Sequence, residues 1–244
     1  MITEIIQYQY DGVSFKGYLA RPNNTKAKLP AVLVAHTWRG QDDFSRQKAE
    51  AIAELGYVGF ALDLYGNATT ASDDKEALQL MLPLFLNRQL LQNRMKAGLE
   101  ILQSLPFVYQ ETIGAIGFCF GGLSVIELLR SGAPIKGVAS FHGILGNTLD
   151  KYKAAPAPFA PMMGNLLILH GEKDPHVSQS DIVSIQDEMT KANVDWQMNI
   201  YGQTYHAFTN PQADDQKSGM IYNPRTTERA WLAMTNFFTE IFCS

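Results

Sequence analysis

Cys119 is the residue whose surroundings most clearly predict chemistry. It lies in residues 117–122, Gly-Phe-Cys-Phe-Gly-Gly, between a predicted strand and a predicted helix. Small residues two positions before and after a nucleophile permit the sharp strand-to-helix turn that presents it, because larger side chains would collide with neighbouring backbone. The N-terminus of the following helix favours the thiolate form. A free cysteine is also a common core residue, but this frame favours a nucleophile.

An acid and a histidine follow Cys119 along the chain. Asp174 comes just after an apolar strand, and His206 lies in the loop after the last predicted strand. Alone, either one is typical of an ordinary loop. Nucleophile, acid and histidine in this order, each after its own strand, are typical of one large class of hydrolytic enzymes. We therefore predict a triad in which Asp174 orients His206 and His206 activates Cys119.

Other residues at the predicted strand ends are candidates for binding the reacting molecule. The backbone N–H groups of Phe120 and Trp38 are candidates for an oxyanion hole, although the Trp38 ring could equally be a pocket wall or part of the core. The candidate substrate-binding residues are Thr37, Tyr65, Asn67, His142, Tyr205 and Asn210, with core packing the alternative for His142. His176 is expected at the surface. The histidine and cysteine spacings match no metal site, so neither a metal nor a cofactor is expected.

Strand and helix signals alternate along the whole chain. Continuous apolar strands separated by helices predict a mostly parallel sheet of about eight strands with helices on both faces. Asp11-Gly12 predicts an antiparallel hairpin at the N-terminus. We expect one α/β domain over residues 1–244. Predicted strands cover residues 4–10, 13–20, 31–35, 58–62, 112–118, 135–141, 166–169 and 196–201. Predicted helices cover residues 42–55, 121–130, 178–192 and 227–242, with a helical stretch from 73 to 105 interrupted at Pro83 and a long connection over 145–164.

Composition argues against several other classes of protein. The 244 residues include 20 basic and 24 acidic ones, for a formal net charge of −4, so neither nucleic acid nor an anionic membrane is an expected partner. No apolar stretch reaches the roughly 18 residues of a membrane span, and the N-terminus lacks the pattern of a secretory signal. Two cysteines are too few for a disulfide framework. We expect a cytoplasmic protein, monomeric or homodimeric, that acts on a small molecule.

The motifs resemble those of the dienelactone hydrolase family of α/β-hydrolases over nearly the whole chain. The resemblance is carried by the cysteine turn at 117–122, Asp-Leu-Tyr-Gly at 63–66, His-Gly-Glu-Lys-Asp at 170–174 and Tyr-His-Ala-Phe at 205–208. It implies an α/β-hydrolase fold and hydrolysis of an ester or lactone by Cys119, Asp174 and His206 without a cofactor. The cysteine is specific, since most other α/β-hydrolase families have serine or aspartate there.

The chain departs from that family's pattern at three positions. Where the best-known members have a glutamate paired with the cysteine, this chain has Thr37. Where they have two arginines that bind a substrate carboxylate, it has Asn67 and Asn210. We therefore expect His206 and the helix end to activate Cys119. A neutral ester, lactone or thioester is at least as good a candidate substrate as the anionic 4-carboxymethylene-butenolide.

Three alternatives to an ester or lactone hydrolase stay open at this point. The same triad could serve a thioesterase or another acyl hydrolase. A reactive thiolate could instead be a redox centre, with Cys243, otherwise expected to be inert, as its resolving partner. The protein could also be a binding module that has lost catalysis. The absence of the glutamate and the two arginines is the reason for this alternative.

Overall fold

The computed structural model describes residues 1–23, 27–149, 151–156 and 159–243. The helices in these ranges are α1 Asp43–Glu54, α2 Asp74–Leu86, α3 Arg88–Ser104, α4 Phe120–Arg130, α5 Gln179–Lys191 and α6 Pro224–Cys243. The strands are β1 Ile2–Tyr10, β2 Val13–Arg21, β3 Leu29–Ala35, β4 Val58–Ala61, β5 Val108–Phe118, β6 Gly137–Phe141, β7 Thr148–Leu149, β8 Tyr152–Lys153, β9 Asn165–Gly171, β10 Trp196–Tyr201, β11 Asp214–Asp215 and β12 Met220–Ile221.

Eight of these strands form a single sheet in the order β1-β2-β4-β3-β5-β6-β9-β10. β1 pairs antiparallel with β2, and β2 pairs antiparallel with β4. From β4 to β10 every neighbouring pair is parallel. The predicted mostly parallel sheet with an N-terminal antiparallel hairpin is confirmed. Its parallel strands end along one edge, where the ligands of such sheets bind.

The hairpin between β1 and β2 turns through two residues in the left-handed region. Asp11 has φ 49° and Gly12 has φ 73°, as in the two-residue turns that match the twist of paired strands. Tyr10 then pairs with Val13, and the register continues to Ile2 against Arg21.

Apolar side chains pack on both faces of the sheet. Successive residues of β3 alternate between the faces, so Leu33 belongs to one buried cluster and Val34 to the other. α1 and α6 cover the Val34 side, whereas α3, α4 and α5 cover the opposite face. No helix in the described part of the chain is long and apolar enough to cross a membrane.

The predicted interruption at Pro83 was misplaced by one turn. α2 continues past Pro83 to Leu86, because a proline removes only its own N–H bond and the helix can complete the turn that follows it. The break comes at Asn87, which caps the end of α2 and whose side chain accepts a hydrogen bond from Leu90 N–H at the start of α3.

Two short strand pairs were missed by the sequence prediction. β7 and β8 form a small antiparallel pair within the predicted connection 145–164, of which residues 150, 157 and 158 lie outside the described part. β11 and β12 pair antiparallel in the loop after His206. Segments of two residues carry no recognisable strand periodicity.

Candidate active site

Cys119 occupies a sharp turn between β5 and α4. Its backbone has φ 56° and ψ −114°, a conformation that a residue with a side chain rarely adopts. The neighbouring glycines are required by close packing of the main chain. A Cβ on Gly117 would lie 2.0 Å from the Gly121 oxygen, and one on Gly121 would lie 2.2 Å from the Ala35 oxygen. The turn therefore forms because these positions lack side chains.

Asp174 and His206 meet at the carboxyl ends of neighbouring strands. Asp174 follows β9, and His206 lies in the loop after β10. His206 Nδ1 lies 2.7 Å from Asp174 Oδ2, and the other carboxylate oxygen accepts the His176 N–H at 2.9 Å. Both side chains are buried, whereas Cys119 is partly exposed. Asp174 therefore fixes the imidazole from inside the protein and leaves the thiol at the surface.

The charges of Asp174 and Cys119 determine the protonation of His206. Burial lowers the pKa of His206, but the Cys119 charge and the hydrogen bonds that the ring makes to Asp174 and Cys119 outweigh it and raise the pKa to about 10. Because Asp174 occupies Nδ1, the hydrogen bond to the Cys119 side chain falls to Nε2. The set therefore favours a protonated His206 ring beside the Cys119 side chain.

Asp174 is ionised in this arrangement. Burial alone would raise its pKa, but the hydrogen bond and positive charge of His206, together with the His176 N–H, lower the pKa below its usual value. An ionised acid at this place balances the charge that His206 carries.

Two further histidine rings flank His206. His142 lies edge-on at 5.1 Å between ring centroids and His176 at 4.8 Å. The expectation that His176 would be exposed was wrong: its ring is half-buried, because the hydrogen bond from its backbone to Asp174 draws it over the imidazole. His142 Nε2 lies 2.7 Å from Thr209 Oγ1. Burial and the charge of His206 hold the pKa of His142 well below its usual value, so this ring is neutral.

The two predicted oxyanion donors belong to segments next to Cys119 in the structure. The Phe120 N–H is the first of α4, and such groups have no acceptor inside their own helix. Trp38 lies in the loop after β3 and shares the pocket with Cys119. This loop packs directly against the strand-to-helix turn at residues 117–122, which we call the elbow. A Cβ on Gly121 would also lie 2.6 Å from the His36 oxygen. The loop that contains Trp38 and the first residue of α4, Phe120, therefore both adjoin the turn at Cys119.

A pocket of about 830 Å³ opens over Cys119 at this edge of the sheet. That volume is in the range of small-molecule sites. Three of the six predicted substrate-binding residues line it together with Trp38 and His206. These three are Thr37, His142 and Asn210.

Three predicted substrate-binding residues lie elsewhere among the described residues. The Tyr65 hydroxyl donates to the Trp38 carbonyl at 2.8 Å and is therefore engaged by the protein. Asn67 is exposed, with its backbone N–H bonded to Ser14. The Tyr205 ring packs under the Lys173 ammonium, 5.7 Å from the ring centroid. The pocket wall described here does not include these side chains.

Acidic residues on the pocket wall were not predicted. The lining includes five carboxylates and one guanidinium, namely Asp42, Asp43, Asp74, Asp214, Asp215 and Arg39. Arg39 is paired with Asp74. The adjacent aspartates 214 and 215 in the loop that carries His206 were a usable signal, because residues of that loop must lie near the histidine. The aspartates before α1 gave no such signal, since an N-cap explains them.

No cluster of metal-ligating side chains occurs in the ranges that the structure describes. A second surface depression of about 690 Å³ lies at the opposite edge of the sheet, near the beginnings of β5, β6 and β9, and it contains no residue of the triad. Cys119 and His206 both line the pocket at the carboxyl ends of the strands.

The sheet order, the strained turn at Cys119 and the acid and histidine at the next strand ends define an α/β-hydrolase. Within that class, the chain belongs to the dienelactone hydrolase family, whose sequence model matches residues 15–242.

Individual relatives agree over almost their full length. The solved structure called m3DLH is 34% identical, with a TM-score of 0.90 over 99% of this chain and 98% of that one. A structure described as a dienelactone hydrolase-like promiscuous phosphotriesterase from metagenomic libraries is 28% identical, with a TM-score of 0.90 over 98% of both chains. An Aquifex aeolicus (strain VF5) protein with carboxymethylenebutenolidase in its name is 28% identical over 96% of this chain and 97% of its own.

Proposed function

We propose that this protein hydrolyses a small ester or lactone through Cys119, His206 and Asp174, with a thioester on Cys119 as the intermediate. The observation that carries the proposal is the buried Asp174–His206 pair, joined at 2.7 Å, with the elbow thiol on the other side of the imidazole. A buried acid and histidine of this kind next to a partly exposed thiol supply the base and the nucleophile of acyl transfer.

Acylation begins when the Cys119 thiolate attacks the carbonyl carbon of the substrate. The carbonyl oxygen takes up the negative charge and accepts hydrogen bonds from the backbone N–H groups of Phe120 and Trp38. His206 then gives its Nε2 proton to the leaving alkoxide as the carbon–oxygen bond breaks, and the acyl group stays on sulfur. For a lactone the alkoxide and the acyl group belong to one molecule, so the ring opens.

Deacylation uses the same groups in reverse. His206, now neutral, removes a proton from water, which attacks the thioester carbonyl. The carbon–sulfur bond breaks, the acid leaves, and Cys119 departs as the thiolate paired with protonated His206. Asp174 stabilises the imidazolium in both halves.

The pocket wall supports a neutral substrate. Asn210 lines the pocket where the family's resemblance leads one to expect an arginine, and five carboxylates face one arginine that is already paired. A substrate carboxylate would therefore meet repulsion rather than a counter-ion. A thioester would react by the same route, so a thioesterase activity is the second candidate.

The positions of Cys119 and Cys243 argue against a thiol–disulfide redox centre. Cys243 is at the end of α6, where the adjacent Phe242 packs on Tyr57 just before β4. Cys119 follows the carboxyl end of β5, which runs in the same direction as β3 and β4. The two cysteines are therefore at opposite edges of the sheet, too far apart for a disulfide. We place the enzyme in the cytoplasm, where thiols are kept reduced.

The test is hydrolysis of a panel of neutral esters, lactones and thioesters by the parent and by Cys119→Ala. Loss of one catalytic partner of a triad removes most of the rate, so we expect a fall of at least about 10³-fold. Cys243→Ser is the matched control and should keep the parental rate, because that thiol is exposed at the far edge. Hydrolysis by Cys119→Ala at the parental rate would refute the proposal, and so would a parent inactive on every compound while binding them.

A further inference from the structure

The loop that carries Trp38 is held by two side chains that the proposed reaction does not use. His36 is fully buried after β3, and its Nδ1 lies 2.6 Å from the Thr37 carbonyl oxygen. Its Nε2 accepts the Leu64 N–H at 3.1 Å. A ring nitrogen that accepts from a backbone N–H carries no proton, so Nδ1 carries it and donates to Thr37.

The Thr37 carbonyl and the Trp38 N–H are the two ends of one peptide unit. Because the peptide is planar and trans, these groups point in opposite directions. The His36 hydrogen bond therefore fixes the direction of the Trp38 N–H. The Gly40 N–H also bonds to the Thr37 oxygen, at 3.3 Å, which holds the same carbonyl from the other side.

Tyr65 fixes the next peptide unit. Its hydroxyl donates to the Trp38 carbonyl at 2.8 Å, and burial together with the Cys119 charge raises the pKa of Tyr65, so the hydroxyl keeps its proton. The ring lies 4.7 Å from the His36 ring and 6.5 Å from the Phe120 ring. Tyr65 thus packs between the residue that orients one N–H donor and the residue that supplies the other.

We propose that His36 and Tyr65 are positioning residues that orient the Trp38 N–H toward the oxyanion. This inference rests on the proposed function, since an oxyanion forms only if Cys119 attacks a carbonyl. The orientation of the N–H matters because a donor must lie about 2.7–3.1 Å from the oxyanion. Losing one donor costs about 10²–10³-fold in kcat.

Two substitutions of His36 separate the two hydrogen bonds of its ring. His36→Asn places an amide N–H near the position of Nδ1 and can still donate to Thr37. His36→Gln places an amide oxygen near the position of Nε2, where it can accept from Leu64 but leaves the Thr37 carbonyl without its side-chain donor. Tyr65→Phe removes only the hydroxyl. Tyr18→Phe is the matched control, because the Tyr18 hydroxyl donates to the Glu50 side chain on α1 at 2.5 Å and neither residue lines the pocket.

The experiment measures kcat and KM, the affinity for butanal and the rate of alkylation by iodoacetamide, all in the Cys243→Ser background. Butanal adds to a thiol to form a hemithioacetal whose oxygen lies in the oxyanion hole, whereas alkylation develops no oxyanion. We expect His36→Gln and Tyr65→Phe to lose about 10- to 100-fold in kcat and a similar factor in butanal affinity, with KM and alkylation within about twofold. His36→Asn should recover most of the loss, and Tyr18→Phe should match the parent.

The proposed function and the positioning role fail in different ways. If the parent shows no hydrolysis that depends on Cys119, the proposed function is overturned and this inference with it. If the parent is active but His36→Gln and Tyr65→Phe keep the parental kcat and butanal affinity, the positioning role alone is overturned. Equal losses in alkylation and in kcat would also overturn it, because they would show general damage to the site. Should the His36 variants not fold, Tyr65→Phe against Tyr18→Phe gives the same decision.

Discussion

At Cys119 the main chain stays in a conformation that costs a residue with a side chain on the order of 1–3 kcal/mol. Hydrogen bonds from Cys119 N–H to Phe141 and from Gly122 N–H to the Cys119 carbonyl hold it there. The strained backbone aims one sulfur at the pocket, and the buried Asp174–His206 pair meets it there. Hydrogen bonds within the protein hold both parts of the site.

Replacing Asp174 by asparagine should reduce stability in a pH-dependent way. The pKa of His206 is raised from 6.5 to about 10, so its contribution to stability is complete below pH 6.5 and is lost as pH rises through about 10. The pKa of Asp174 is lowered from 3.8, so its contribution is complete above pH 3.8 and is lost as pH falls. We expect the gap between parent and Asp174→Asn to be largest between pH 3.8 and 6.5 and to narrow toward pH 10.

Urea unfolding at several pH values measures that gap. Asp187→Asn on α5 is the control, because this aspartate is exposed and distant in sequence from the triad. A gap for Asp174→Asn that stays constant from acid to alkaline pH would contradict the assignment of the charged pair.

The sequence could predict a residue's conformation where that conformation depends on neighbouring residues in the chain. Cys119 could be found because its glycine neighbours and its place between strand and helix are local properties. His176 and Thr209 could not, since their contacts with His206 and His142 depend on how separate loops pack. Tyr65 was predicted to bind substrate, and no sequence pattern shows that its hydroxyl bonds to the Trp38 carbonyl.

At the level of elements, the elbow requires α4 to start directly against the end of β3. Gly121→Ala would place a Cβ 2.2 Å from the Ala35 oxygen, and backbone cannot yield as a flexible side chain does. We expect a loss of about 3 kcal/mol or failure to fold, at the upper end of overpacking effects. Denaturation of Gly121→Ala and of Gly202→Ala measures this, because a Cβ on Gly202 meets nothing within 4 Å.

The glycine control should lie within about 0.5 kcal/mol of the parent, as is usual for substitutions at open positions. If Gly121→Ala were equally harmless, the close approach of α4 and β3 would not be what limits the turn.

Regular elements were predictable where periodicity is long, and junctions were not. β10 was predicted with its observed bounds, and α1 differs only by its two cap residues, because Asp42 and Gly56 are strong helix-end signals. The junction of α2 and α3 was misplaced because Pro83 attracts attention as a breaker, while Asn87 acts as a cap to both helices.

The whole molecule has a modest net charge of −4, but acidic residues are concentrated at the pocket. We expect kcat/KM for an ester with a carboxylate in its acyl chain to be on the order of tenfold below that of its neutral isostere at low salt. Added salt should narrow the difference because it screens exposed charges.

Asp214→Asn with Asp215→Asn should also narrow the difference between the two esters. The control, Asp187→Asn with Asp195→Asn, makes the same change in net charge at exposed positions that do not line the pocket. A preference for the anionic ester in the parent, or equal effects of the two double variants, would contradict a local role for the pocket acids.

The strand pair β11–β12 joins the pocket wall to His206. His206 N–H bonds to the Gly219 carbonyl at 3.0 Å, and Ile221 N–H bonds back to the His206 carbonyl at 3.0 Å, while Asp214, Asp215 and Met220 line the pocket. The residues proposed to set selectivity and the proposed proton donor therefore belong to one structural segment. Replacing this segment with that of a relative would therefore change the orientation of the His206 ring as well as the substrate range. Point substitutions in the loop around Asp42 could alter selectivity and leave His206 in place.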